Sequence, residues 1–299
     1  MISNTTKGYI MILLSALGFG SYGVWSKLIG DNFGIFFQAW VRAGIIVLIL
    51  FPIGYFTKSF KKIKKEDIKR FSLPIIFGIF TMVPLYYAFN NAGIGISTLI
   101  FYAMFIITTY IVGKFLMKED ITKIKLLSLI LSFFGLVLMF GLSFTKFSIL
   151  ALGLAALNGI ASGGEVATTK KVTNKYSSIQ ISVYLWLVIM LTHLPISILL
   201  GENQVPFAFN TIWFSMIAFA VIGLISFWLV IEGFKYVDAS IGGLIGLMEI
   251  IFGIIFGILL FTEQLSLSVI VGGGIILLAA MLPDLSEIIK KKISPSQNP

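Results

Sequence analysis

Residues 104–120, MFIITTYIVGKFLMKED, and residues 248–264, MEIIFGIIFGILLFTEQ, decide the fold, because one is a copy of the other. At an offset of 144, without a gap, Met104 falls on Met248, Ile106 on Ile250, Ile107 on Ile251 and Ile111 on Ile255. Gly113 then falls on Gly257, Leu116 on Leu260 and Glu119 on Glu263. Each copy is an apolar helix that runs into an acidic turn, Lys118-Glu119-Asp120 or Thr262-Glu263-Gln264, and a second apolar helix follows. A weaker match joins Leu14-Ser-Ala-Leu-Gly-Phe-Gly-Ser-Tyr-Gly23 to Leu154-Ala-Ala-Leu-Asn-Gly-Ile-Ala-Ser-Gly163.

The solvent of these helices follows from composition. Of 299 residues, 58% are hydrophobic and 12% charged, and the mean hydropathy is +1.01. A soluble surface needs about twice that charge. Apolar runs long enough to cross a bilayer as helix recur from end to end, which makes an all-α polytopic membrane protein; a barrel would show short alternating strands. The chain has no cysteine and one histidine, so disulfides, thiolate metal sites and multi-histidine metal centres are excluded. There is no P-loop, so ATP does not drive the chain directly, and no nucleophile elbow or paired-carboxylate motif. No cofactor is implied.

Ten transmembrane spans are expected, at 8–29, 34–57, 71–92, 96–117, 123–142, 147–169, 179–200, 210–234, 239–261 and 267–284. The first is expected to stay in place, since it is long and has no clear small-residue cleavage site. With the N-terminus in the cytoplasm, Lys7, the run Lys58 to Arg70, Lys114, Lys118, Lys123, Lys125, Lys170, Lys171, Lys175, Lys235 and Lys290 to Lys292 share the inner face. Only Lys27, Arg42 and Lys146 lie outward of them. The expected placement is therefore the cytoplasmic membrane, with both termini inside. This asymmetry also explains the net charge of +9, so nucleic acid is not an expected partner. The Lys58–Arg70 run reads as a topogenic loop at the headgroups, or as an anionic-lipid site. Five spans per copy is an odd number, so the second copy enters the membrane reversed. The expected organisation is two inverted five-helix repeats, 1–145 and 146–299, with the pseudo-two-fold axis in the membrane plane.

At this point the chain resembles the drug/metabolite transporter superfamily in its ten-helix EamA-type branch. The likeness is carried by Leu14 to Lys27 in helix 1, by Trp40-Val-Arg42 in helix 2, and by Tyr87-Ala-Phe-Asn-Asn-Ala-Gly-Ile-Gly-Ile-Ser97 between helices 3 and 4. The Glu119 and Glu263 corners and Glu249 complete it. Two departures stand out. Met104-Phe-Ile-Ile107 lacks a proline common in the family, and Ile250 stands where proline often follows the glutamate. The resemblance implies a carrier that works by alternating access, secondary active or facilitative. Its central cavity would lie between helices 1, 3, 4 and 6, 8, 9, and a single chain would suffice. It implies a small-molecule substrate but no particular one; the expected solute is an amino acid or similar polar or amphipathic metabolite, and Glu249 makes protons a candidate co-substrate. The alternative class is a membrane-embedded enzyme or lipid-handling protein, which would need a polar cluster facing one leaflet.

An ionisable side chain in hydrocarbon needs a partner or a water-filled cavity. Glu249 lies near the middle of the ninth span among Gly242, Gly243, Gly246, Gly253 and Gly257. It is suited to bind an amino group or exchange a proton, against a structural hydrogen bond to a neighbour. The glycines of Ser162-Gly-Gly-Glu165 suggest a backbone approached closely or local unwinding, and Glu165 either has a functional role there or pairs with Lys170 or Lys171. Asn158 is a substrate contact or interhelical glue. Arg42 reads as a packing and topology residue, with carboxylate binding as the alternative. Lys27 is expected to snorkel to the headgroups, His193 to be a lining or interfacial residue, and Glu232 to be neutralised by Lys235. Tyr22, Trp25, Tyr86, Tyr102 and Trp228 lie on helices that resemble cavity-lining ones, and Tyr and Trp stack on flat or cationic ligands. Trp213 and Tyr176 read as membrane-belt residues.

Overall fold

The computed structural model describes residues 3–92, 94–141, 148–262 and 266–293. The boundary between residues 145 and 146, Lys146 and the Glu263 turn lie outside them, as do the side chains of Lys290 to Lys292. Every regular element among the described residues is helical. The first span is α1 (Asn4–Gly20) and α2 (Tyr22–Ile29), the second α3 (Ile35–Phe56), and the third α4 (Ile68–Gly78) and α5 (Val83–Ala92). The fourth to eighth are α6 (Ile94–Leu116), α7 (Lys123–Phe140), α8 (Ile149–Thr169), α9 (Ser178–Leu199) and α10 (Thr211–Phe234). The ninth is α11 (Ala239–Gly246) and α12 (Met248–Phe261), and the tenth is α13 (Leu267–Ile293). Among the described residues nine spans are long and apolar enough to cross a membrane, and the apolar part of the tenth is the shorter Leu267–Pro283.

Among the described residues three spans are broken, each for an identifiable reason. Between α1 and α2 the Ser21 hydroxyl donates to the Gly18 carbonyl at 2.7 Å, so a side chain competes for a ladder acceptor. Between α4 and α5 the cause is Pro84, which has no N–H for the Phe80 carbonyl four residues back. That carbonyl is taken instead by Asn158 Nδ2 of α8 at 2.9 Å. The ninth span breaks at Leu247 with no proline. There the ladder tightens, Leu247 N–H reaching Leu244 O at 3.2 Å and Ile250 N–H reaching Leu247 O at 3.0 Å, in a stretch already weakened by Gly242, Gly243 and Gly246. Without its family proline, α6 runs unbroken.

Of the two alternatives at Gly163-Gly164-Glu165, the structure shows the closely approached backbone and not the unwinding, for α8 is continuous through it. A Cβ on Gly163 would sit 2.6 Å from the Phe105 carbonyl of α6, and one on Gly159 would strike the Phe101 carbonyl. Small residues let two membrane helices approach to backbone contact.

The packing is reciprocal. The second span lies against the seventh and the fifth against the tenth. The first packs on the eighth and ninth, as the sixth packs on the third and fourth. Exchanging each span with the one five later leaves this pattern unchanged, which is a two-fold relation between two five-helix repeats. The helix ends carrying Lys7, Lys58 to Arg70, Lys118, Lys125, Lys170, Lys175 and Lys235 gather at one end of the bundle, called here the basic face. The loop between α3 and α4 is fastened there: Lys61 N–H donates to Gln180 Oε1 (3.0 Å), Gln180 Nε2 to Lys61 O (2.6 Å), and Lys175 Nζ to Asp67 Oδ1 (2.6 Å). The carboxylate beside it holds the Lys175 ammonium above the ordinary lysine range.

Two belt assignments are corrected. Tyr176 is buried and its hydroxyl donates to Asp67 Oδ2 at 3.1 Å. Trp213 is buried against Phe33 and Phe37. Each has a polar or aromatic partner that outweighs the headgroup region.

Gly163→Val is expected to force α8 off α6 and cost about 1–3 kcal/mol, the usual penalty of overpacking. Gly153→Ala, which meets nothing within 4 Å, should be neutral. Thermal melting of the purified protein checks both, and equal melting temperatures would refute the close-packing role.

Candidate functional site

The helix breaks converge on one cavity. Its volume is about 870 Å³, within the range of small-molecule sites. Tyr22 follows the first break, Thr81 and Met82 lie in the second, and Glu249 stands two residues past the third, and all four line the cavity. The walls come from both repeats and from every helix the family likeness implies, with Arg42 of α3, Phe140 of α7 and Trp186 of α9 in addition. Aromatic rings dominate: Phe19, Phe101, Phe105, Phe219, Phe227 and Phe234 join the tyrosines. Toward the face opposite the basic one, the cavity reaches Lys27, Phe89, Phe140 and Phe261.

Of the residues expected from sequence, Glu249, Asn158, Tyr22, Tyr86, Tyr102 and Glu165 all line this space. Trp25 and Trp228 do not, and both expectations are corrected. The Trp25 indole donates to Ser21 Oγ at 3.1 Å and packs in the cluster of Phe33, Phe37 and Trp213. Trp228 is 41% exposed on the outer surface of the bundle. Sharing a helix with cavity residues does not set the face, and Trp228 lies next to Phe227, which points inward.

Glu249 sits in the first turn of α12, where the positive end of the helix dipole favours a carboxylate. The Tyr102 hydroxyl stands against that carboxylate. Helix α1 closes behind it, since a Cβ on Gly20 would lie 2.8 Å from the Glu249 carbonyl. Glu165 is buried, and no hydrogen bond or ion pair from the described residues reaches its carboxyl group. The expected pairing with Lys170 is overturned: Lys170 turns to Glu119, at 3.2 Å. Asn158 is fully buried and spends its amide on the Phe80 carbonyl, while its Oδ1 accepts from Ser162 at 3.4 Å.

Arg42 was expected to pack, with carboxylate binding as the alternative, and its surroundings are compatible with both. It is 1% exposed, yet its guanidinium forms part of the cavity wall. The group lies 3.6 Å from the Phe219 ring centroid and 5.2 Å from that of Tyr22, and Nη1 donates to Tyr86 Oη at 3.2 Å. Gly223 leaves the room for this: a Cβ there would strike the Tyr22 hydroxyl and come within 3.7 Å of Nη2. No carboxylate among the described residues is in ion-pair range of Arg42. The signal was present in the chain, for Arg42 is an always-charged group on a span with no acidic residue.

Lys27 lines the cavity and lies 3.9 Å from the Phe261 ring centroid, so the pure headgroup reading is corrected. His193 does not line the cavity; it is buried, bonded to Ile189 O (2.8 Å) and stacked near Phe36, so the lining or interfacial expectation is corrected to a packing role. Glu232 pairs with Lys235 at 2.7 Å. One guanidinium, one ammonium, two carboxyl groups and three phenols thus face a largely aromatic cavity. Such a lining can hold an amphipathic solute by its charged end and stack its apolar part.

Comparison with known proteins agrees with this architecture. The model of the EamA-like transporter family matches the chain twice, over residues 6–141 and 149–282. A Helicobacter pylori strain 26695 protein described as an uncharacterized transporter is 23% identical over 296 residues, covering 95% of this chain and 96% of its own. Its counterpart in strain J99 is 22% identical with the same coverage. A solved crystal structure shares the fold with a TM-score of 0.77 at 13% identity, over 93% of this chain and 96% of that one. The chain belongs to the EamA-like transporter family.

Proposed function

We propose that this membrane transporter is a secondary active or facilitative carrier of a small polar or amphipathic metabolite, an amino acid or similar solute. The observation that carries the reading is the placement of Arg42, Glu165 and Glu249 in one cavity between the repeats, without ion pairs among the described residues. Charge in hydrocarbon is retained where a partner or water compensates it, and a solute bearing complementary groups is such a partner. In this reading Glu249 receives an ammonium group or a proton, and Arg42 with Tyr86 receives an anionic group. Tyr22 and Tyr102 flank the bound solute, and the phenylalanines stack on its apolar part. The halves 1–145 and 146–299 rock about the two-fold axis to expose the site to each side in turn. The lysine asymmetry favours the cytoplasmic membrane with both termini inside. A cavity enclosed by one chain favours a working monomer.

Three outcomes follow. Reconstituted protein should catalyse counterflow of a solute recovered chemically unchanged, and a transformed solute would favour a membrane enzyme. Glu249→Gln should lower uptake about 10- to 100-fold and flatten its pH dependence, as loss of a charged hydrogen bond requires; wild-type rate with wild-type pH dependence would remove Glu249 from the mechanism. In a thermal-shift screen, zwitterions and amines should raise the melting temperature by mass action, and Arg42→Gln should abolish the shift for ligands with a carboxylate but not for simple amines.

A further inference from the structure

A second cavity, about 760 Å³, lies at the basic face and is lined by Lys118, Lys125, Lys171, Asn174 and Asp238 among others. It has no lining residue in common with the central cavity. What separates them is the first turn of α11: Ile241 lines the basic-face cavity and Gly242 the central one. Phe234, at the end of α10, closes the central cavity beside it.

That turn is held by the other half of the molecule. Glu119, in the corner between α6 and α7, reaches across to the start of α11. Its Oε1 accepts from the Ala239 N–H at 2.7 Å, and its Oε2 from the Ser240 N–H at 3.3 Å and hydroxyl at 3.2 Å. Lys170 Nζ donates to the same carboxylate at 3.2 Å and to the Val237 carbonyl at 2.8 Å. Lys125 Nζ donates to Asp238 Oδ2 at 2.7 Å and to the Asp120 carbonyl at 3.0 Å. Glu119 and Lys125 belong to the first half, Lys170 and Asp238 to the second. Two acids and two bases balance. The carboxylate satisfies the free N–H groups of a helix start, which no residue of its own half does.

Its setting makes this cluster reversible. A buried ion pair broken into hydrocarbon would leave bare charges. Here the basic-face cavity touches Glu119, Lys125, Lys170 and Asp238, and Asp238 and Lys170 are partly exposed, so water can reach the cluster from their side as it opens. We infer that the Glu119–Lys170–Asp238–Lys125 cluster is the gate that seals the central cavity from the basic face. Its opening joins the two cavities and transfers access from one side to the other. The inference rests on the carrier reading for its purpose, but its geometry can be tested without any substrate.

The chain has no cysteine, so one introduced thiol is a clean reporter. Ser162→Cys places it in the central cavity and Asn174→Cys in the basic-face cavity. A membrane-impermeant maleimide is applied to the basic face of oriented vesicles. In the parent background Ser162→Cys should label far more slowly than Asn174→Cys. Adding Glu119→Gln should raise the ratio of the two rates about tenfold, because a charged hydrogen-bond acceptor is lost. Asp238→Asn, which leaves Glu119 on the helix start, should act in the same direction and stands in if Glu119→Gln does not fold. An unchanged ratio in the folded variants, or equal labelling of both sites in the parent, would overturn the gate. Absence of counterflow in the wild-type protein would instead count against the carrier reading and leave the labelling result to stand alone.

Discussion

Hydrocarbon tolerates neither an unpaired peptide group nor an unpaired charge, and the main features of this molecule answer that constraint. Pro84 leaves the Phe80 carbonyl without its helical donor, and Asn158, from the other repeat, supplies one at 2.9 Å. The repair fixes α8 against the broken third span and opens the wall that Tyr86 and Thr81 line. The same constraint accounts for Arg42. A guanidinium cannot shed its proton, so it is wrapped by Phe219, Tyr22 and the Tyr86 hydroxyl, and it borders the one kind of space where water or a solute can complete its solvation. Broken helices are tolerated at membrane depth where they line a cavity, and all three breaks do.

Two interfaces between the halves are tied differently. The contact between α3 and α9 is fastened at both ends of the molecule. At the basic face, Gln180 and Lys61 exchange two hydrogen bonds. At the other, Glu202 caps α3 through the Phe36 and Phe37 N–H groups at 3.1 and 2.7 Å. The start of α11 is held by the Glu119 carboxylate, in a cluster that borders the basic-face cavity. A seam tied at both ends between the second and seventh spans, beside the proposed gate at the first turn of the ninth, suits two halves that pivot rather than separate.

Much of this was legible in the chain. The 144-residue repeat with its odd helix count implied the two-fold arrangement, and lysine placement implied the basic face. The break in the third span was missed although its cause is local, since Pro84 removes one ladder donor. The break at Leu247 was not legible, because it arises from a run of glycines under tertiary packing and not from a proline. Glu249 and Glu165 stood out as rare charges, and both line the cavity. Aromatic residues could not be sorted in this way. With 28 phenylalanines in the chain, inward and outward faces look alike, so Trp228 was expected inside while Phe227 beside it lines the site. Arg42 stayed open between packing and binding because a helical position says nothing of which neighbour it meets across the bundle. Lys170 was matched with the acid nearest in sequence, Glu165, when its partner lay 51 residues away on another corner.

The central claim is that the two repeats move against each other about a cavity between them. The most direct test is distance measurement by pulsed electron resonance on double-cysteine variants. One pair is Lys118→Cys with Asn174→Cys at the basic face, and the other Asn91→Cys with Thr211→Cys at the opposite face. Rocking predicts two populations in each pair, with conditions that lengthen the basic-face distance shortening the other. A single narrow distance in both pairs, unchanged by Glu119→Gln and by every solute that stabilises the protein, would contradict it.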